Sequence, residues 1–171
     1  MGYWGYFVVG RSRQPLTGTA ALTGADSGAA EWVPHGTAPD GWQVWECRGD
    51  GGDVGSMNVL ARETGAPALF GYVMDSASVV VEAAGPRSGA WTTCLARAAM
   101  AGYLGAEREG LTVEDYFLQP GDAARRAVEW AAEAGREVAE EPLLDVLTSD
   151  ADPLAENLFF RFLDRLGVVP L

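Results

Sequence analysis

Pro67-Ala68-Leu69-Phe70-Gly71-Tyr72-Val73-Met74, then Asp75-Ser76-Ala77-Ser78, then Val79-Val80-Val81-Glu82-Ala83-Ala84, is the stretch that decides the fold. Two runs rich in β-branched and aromatic residues flank a segment of turn composition, which predicts a hairpin. The connection is not a two-residue Asn-Gly turn, so a longer loop is expected. Gly85-Pro86-Arg87-Ser88-Gly89 makes a further turn, and Ala90 to Leu95 a further strand. Strands linked by connections this short imply an antiparallel sheet.

Upstream, Tyr3 to Gly10 is apolar on both alternating faces, Tyr3/Gly5/Phe7/Val9 and Trp4/Tyr6/Val8. Such a strand is covered on both sides or lies at an interface. Gly41 to Arg48 is a second clear strand, carrying Trp42, Val44 and Trp45. Residues 10 to 40, rich in Gly, Pro, Thr and Asp, read as loop, with a strand at Gly18 to Leu22. Between the strands, Val54, Met57, Leu60/Ala61 and Thr64 fall at helical spacing, with Asp53 as the expected N-cap and Gly65 as the stop.

Downstream the chain turns helical. Arg97 to Leu104 reads as a helix ended by Gly105. Ala123 to Ala134 is capped by Asp122 and closed by Gly135, and Glu141 to Leu147 is a shorter helix. The last helix takes Asp152 as its cap, Pro153 as its first residue and Gly167 as its end. Leu154, Leu158, Phe159, Phe162, Leu163 and Leu166 give it a wide apolar stripe. The expected architecture is a single α+β domain over residues 1–171. It has an antiparallel sheet from the N-terminal half, with helices, mostly C-terminal, packed on one face.

The chain has 171 residues, 48% hydrophobic and 21% charged, with a net charge of −12. Mean hydropathy is +0.00, which excludes general disorder. No apolar run approaches the roughly 20 residues of a membrane span. All twelve bases are Arg; Lys and Ile are absent while Ala and Gly abound, the codon bias of a high-G+C bacterium. Residues 1–106 hold nine acids and six Arg, whereas residues 107–171 hold fifteen acids and six Arg. An acidic surface of that kind repels phosphate backbones, so neither nucleic acid nor an anionic membrane is an expected partner. A basic partner protein is attracted instead. The N-terminus lacks a basic n-region, and Tyr6 stands where a myristoylation site needs Ser or Thr. The expected location is therefore the cytoplasm, with Cys47 and Cys94 as buried, reduced thiols.

Candidate chemistry is sparse. His35, in Pro34-His35-Gly36, is the only histidine, so any imidazole catalysis must use it, and no Gly-x-Ser-x-Gly elbow accompanies it. One His and two separated Cys lack the paired spacing of a zinc site, and no cofactor or metal is expected. Arg48-Gly49-Asp50-Gly51-Gly52-Asp53 has glycines before a helix, but neither a Gly-Lys-Ser/Thr ending nor the third glycine of a dinucleotide fingerprint. It reads as a turn followed by a cap. Asp150-Ala151-Asp152 is read as helix capping rather than a metal pair. The six Trp divide between core filling and an interface or ligand cleft. Trp32 is the one expected to be exposed, and Phe160 lies off the apolar stripe of its helix.

The Leu60-Ala61-Arg62-Glu63-Thr64-Gly65-Ala66-Pro67-Ala68-Leu69 passage, the Asp75-Ser76 hairpin and Trp91 carry a resemblance. Trp130-Ala131-Ala132-Glu133-Ala134-Gly135 and Ala155 to Gly167 extend it. From about Val59 onward the chain resembles a group of small, acidic actinobacterial proteins. In size, acidity and α+β layout it is similar to immunity proteins of bacterial toxin systems. The charge distribution leads to the expectation of a non-catalytic cytoplasmic interaction protein, a monomer or weak homodimer, whose acidic C-terminal region docks a basic partner, with an immunity-type toxin inhibitor as its sharpest form. The expected docking residues are Glu107, Glu109, Glu114, Asp115, Glu140 and Glu141, with Trp32 and Phe160 as apolar anchors. The alternative is a small-ligand-binding protein or hydrolase with a Trp-lined cleft and His35 as general base.

Overall fold

The hairpin read from 67–84 sits near the centre of one six-stranded sheet. The structure, a computed structural model, describes residues 2–23, 32–49, 54–107, 112–151 and 153–168, without the side chains of 105–107. Its strands are β1 (Gly5–Arg11), β2 (Trp32–Thr37), β3 (Trp42–Arg48), β4 (Ala68–Met74), β5 (Ser78–Gly85) and β6 (Gly89–Leu95). They run antiparallel in the order β2-β3-β1-β4-β5-β6. No helix among the described residues is long and apolar enough to cross a membrane.

The β4–β5 hairpin closes between Met74 and Ser78 around a three-residue loop. Asp75 and Ser76 there have φ of 55° and 51°, left-handed values that cost a residue with a side chain. Hydrogen bonds offset the cost. The Asp75 carboxylate accepts the Gly2 N–H at 2.7 Å, and Ser76 Oγ accepts the Tyr3 N–H at 2.8 Å. Ser76 Oγ also donates to Glu156 at 3.0 Å, and Ser76 O accepts the Ala155 N–H at 2.9 Å. A local turn thereby ties the N-terminus to the last helix.

The helices are α1 (Ala20–Thr23), α2 (Met57–Thr64), α3 (Arg97–Glu107), α4 (Pro120–Glu133), α5 (Glu140–Thr148) and α6 (Ala155–Leu166). The class is α+β, as the strand-then-helix order implies. The apolar stripe of α6 (Leu158, Phe159, Phe162, Leu163, Leu166) packs with α4 and α5 on the sheet face bearing Phe7, Val9, Leu69, Val79 and Val81. Trp130 of α4 reaches into this layer, its indole N–H donating to the Ala68 and Ala84 carbonyls at 3.2 Å each. The opposite face is covered too. Met57, Leu60 and Ala61 of α2 pack with Val8, Cys47, Ala68 and Ala84, while Met100 of α3 packs with Met74 and Cys94. The sheet is therefore the middle of three layers, where the sequence pattern suggested helices on one face.

Local boundaries differ from expectation for identifiable reasons. The N-cap of α2 is Ser56, whose Oγ accepts the Val59 N–H at 3.4 Å, while Glu82 accepts the Met57 N–H at 3.2 Å. Asp53, the expected cap, lies outside the described residues, as does Asp50 of the glycine-rich loop. Gly65 ends α2 at φ 72°, as read. Helix α4 starts earlier than expected, at Pro120 after Gln119, so Asp122 sits in the first turn rather than at the cap. Helix α6 begins at Ala155 after Leu154, which leaves Pro153 outside it; Asp152 lies outside the described residues. Helix α3 runs through Gly105 to Glu107. The stretch expected as a strand at Gly18 to Leu22 is instead a 3-10 turn over Leu16–Gly18 followed by α1. Residues 32–37, expected as loop, form β2 because β3 supplies the partner, with a bulge between Pro34 and Gly36.

Cys47 and Cys94 are buried free thiols on β3 and β6, four strand spacings or about 19 Å apart, too far for a disulfide. Burial raises the pKa of both, that of Cys94 to about 11.

Candidate functional site

The segment of residues 112–119 folds against the free edge of β6. A capping box at its start holds the 3-10 turn Val113–Asp115, with Asp115 accepting the Thr112 N–H at 2.6 Å. The Leu118 N–H donates to Thr92 O at 3.0 Å, and Leu118 O accepts from Thr93 Oγ1 at 3.1 Å and from Arg97 at 3.0 Å. This strap leaves an open groove of about 540 Å³ between itself, β6 and the start of α4. Trp91 and Thr92 lie on its β6 side, Glu114, Asp115 and Tyr116 on the strap, and Asp122 and Arg126 on α4.

Three acids, Glu114, Asp115 and Asp122, and one base, Arg126, line the groove together with Tyr116. Tyr116 is 45% exposed. Glu114 pairs with Arg97 at 3.4 Å, and Asp122 with Arg125, whose other nitrogen lies 4.0 Å from Glu140. Arg126 is turned onto the β5–β6 connection, donating to Ser88 O at 2.8 Å and Ala90 O at 3.3 Å. Each of the three acids thus spends one carboxylate oxygen on the fold. Glu114 Oε2, Asp115 Oδ1 and Asp122 Oδ2 have no partner among the described residues. Two buried donors on residues of the groove lining make no hydrogen bond: the Trp91 indole N–H and the Arg126 Nε–H, the latter 4.0 Å from Glu129 Oε2.

The structure sorts the expected docking residues. Glu114 and Asp115 line the groove; Glu140 adjoins it through Arg125, and Glu141 is exposed beside Glu140 in the first turn of α5. Glu109 and the side chain of Glu107 lie outside the described residues. Trp32 and Phe160 are elsewhere. Trp32 is on β2, the opposite edge of the sheet from β6, half-buried against the cluster around Val8 and Cys47. Sequence reasoning missed Tyr116, Asp122 and Trp91 as members of this site. An aromatic directly following Glu114-Asp115 was the available signal, but only the fold brings β6 and α4 to it.

His35, Phe160 and a buried carboxylate form a second cluster at the β2 edge. The bulge turns His35 onto the α6 face, where its ring stacks on Phe160 (centroids 5.1 Å, planes 4° apart) and meets Phe7 edge-on. Phe160, expected off the stripe, finds this contact instead of solvent. His35 Nδ1 lies 4.0 Å from Glu46 Oε1, ion-pair distance but beyond a hydrogen bond. Glu46, 7% exposed, already accepts from Tyr3 Oη at 2.7 Å and from Arg48 Nε at 3.1 Å. Burial, then that hydrogen bond and the Glu46 charge, hold the Tyr3 phenol protonated far above its ordinary range. A carboxylate behind an imidazole can orient a general base. Here the carboxylate is engaged by other donors, and His35 does not line the groove beside β6.

The Trp residues separate likewise. Trp42 and Trp130 are fully buried and Trp91 nearly so, while Trp4, Trp32 and Trp45 are half-buried on the other sheet face. Among the described residues no group of three or more His, Cys, Asp or Glu is arranged to hold a metal. The chain matches no family model, no curated protein and no solved structure.

Proposed function

We propose that the protein is a non-catalytic interaction protein that docks a basic partner protein on the acidic groove beside β6. The observation that carries this reading is that Glu114, Asp115 and Asp122 line one groove with exposed Tyr116, with Glu140 and Glu141 at the neighbouring helix end. Carboxylates around an aromatic anchor suit a cationic protein surface: the charges steer the encounter, and the ring supplies the buried contact that slows departure. The sharpest form of the proposal is an immunity-type inhibitor, in which the groove covers the basic active site of a toxin. Its setting in the proposal is the cytoplasm.

The test is capture from the native host at low and high salt, followed by binding kinetics with the purified partner. Replacing Glu114, Glu140 and Glu141 by Gln and Asp115 and Asp122 by Asn should slow association tenfold or more at low ionic strength. Dissociation should change much less. A partner that binds the neutralised variant as fast as the wild type, at every salt concentration, overturns the proposal.

A further inference from the structure

We infer that the groove between the β1–α1 segment and the end of α2 binds a small sugar phosphate, with Arg11 and Arg13 holding the phosphate. It shares no lining residue with the groove beside β6 and stands apart from the docking reading.

Arg11, Ser12 and Arg13 line an open groove of about 480 Å³ together with Asp40, Gly41 and residues 63–66. The fold leaves most of the two guanidinium groups unused. Arg11 donates only through Nε, to Asp40 O at 2.9 Å, and Arg13 makes no hydrogen bond or ion pair among the described residues. Six other arginines, by contrast, lie within 4.0 Å of a carboxylate. The two acids of the lining are engaged elsewhere. Glu63 accepts the Ala20 and Ala21 N–H groups at 2.8 and 3.0 Å, one on each oxygen, and Asp40 pairs with Arg136. With Arg136 beside Asp40, three arginines stand with two carboxylates, a local excess of positive charge in a chain of net charge −12.

A buried side chain fixes the arginine-bearing backbone. Gln43 on β3, 6% exposed, donates from Nε2 to Ser12 O at 3.0 Å and to Gln14 O at 2.9 Å, and its Oε1 accepts the Leu16 N–H at 3.0 Å. The Ser12 N–H donates to Gly41 O at 3.1 Å. The chain on both sides of Arg13 is thus held before any ligand arrives, which lowers the ordering cost of binding. Two guanidinium forks suit a phosphomonoester, which carries close to two negative charges and three strong acceptor oxygens. A nucleic acid brings many phosphates against the whole acidic surface, whereas a single small dianion meets only this groove.

The body of the ligand is argued from the adjoining space. A second groove, about 550 Å³, shares Ser12, Glu63 and Thr64 with the first and continues along Gln14 and Thr17. The Gln14 amide and the Thr17 hydroxyl have no partner among the described residues. Each offers both a donor and an acceptor, which matches the hydroxyl groups of a sugar.

The test is calorimetric titration of the intact protein, at about 0.02 M salt to limit screening, with ribose 5-phosphate, glucose 6-phosphate, inorganic phosphate and ribose. At least one sugar phosphate should bind about fivefold or more tighter than inorganic phosphate, and ribose should not bind. Arg11→Gln and Arg13→Gln should each weaken the sugar phosphate about tenfold, with thermal midpoints close to the wild type because both side chains are exposed. Gln14→Ala combined with Thr17→Val should bring the sugar phosphate down to the level of inorganic phosphate. Binding of inorganic phosphate as tight as that of both sugar phosphates overturns the sugar assignment. Absence of binding by every phosphate probe, or binding unchanged when both arginines are replaced, overturns the site; the docking surface beside β6 is untouched by either result.

Discussion

Glu133, near the end of α4, reaches the β5–β6 connection, where its carboxylate accepts the Arg87 N–H at 2.6 Å and the Ser88 N–H at 3.0 Å. Burial pushes its pKa up, but the hydrogen bonds from Ser88 and Arg87 outweigh burial and set it below the ordinary 4.5. A carboxylate with a depressed folded pKa contributes stability that is present above its unfolded pKa and lost as pH falls through the folded one. Glu133→Gln should cost about 1–3 kcal/mol at pH 7, because two backbone donors lose a charged acceptor. The gap between wild type and variant should be complete at pH 7 and shrink below about pH 4.5. Urea unfolding of both proteins at pH 7, 4 and 3 measures it; a gap that does not close in acid assigns the clamp to shape and not to charge.

At the scale of elements, the contact between β4 and α6 is set by a missing side chain. A Cβ on Gly71 would lie 2.5 Å from the ring of Phe159, which is wholly buried. Gly71→Ala should therefore destabilise by about 1–3 kcal/mol through overpacking, or roughly 2–4 °C of thermal midpoint per kcal/mol at this chain length. Gly102→Ala, in α3 where a Cβ meets nothing within 4 Å, is the control and should stabilise by up to about 1 kcal/mol. If both substitutions behave alike, Phe159 does not press on Gly71. The same element pair marks what the sequence could show. The β4–β5–β6 strands and the α6 stripe were legible because alternation and helical spacing are properties of the chain alone. The caps were not: Asp53, Asp122 and Asp152 are good capping residues, yet where a first turn begins depends on neighbours such as Glu82. Strand β2 was hidden because Pro34 and Gly36 carry no strand signal and pairing with β3 decides the matter. For the groove, the acids were legible and their grouping was not, since Tyr116 and Asp122 meet only after the strap docks on β6.

At the scale of the molecule, a net charge of −12 sets long-range repulsion against a few contact ion pairs. One pair joins distant parts: Arg136 binds Asp40 of the β2–β3 turn and donates to Gly167 O at 2.8 Å, tying the end of α6 to the far edge of the sheet. Burial favours a protonated Asp40, but Arg136 prevails and lowers its pKa. Exposed pairs such as Arg125–Asp122 each contribute about 0–1 kcal/mol. Salt acts on the two kinds of interaction unequally. At about 0.15 M the Debye length is roughly 8 Å, so contacts within 4 Å keep much of their attraction while repulsion between acids farther apart is screened. The thermal midpoint at pH 7 should therefore rise by several degrees between about 0.01 M and 0.15 M sodium chloride. Neutralising the groove acids should flatten that rise, because part of the repulsion has gone. The docking reaction has the opposite sign, its association slowing over the same interval. A midpoint that falls with salt would mean that the ion pairs outweigh self-repulsion, and that the acids are held in place by their own arginines and not left available to a partner.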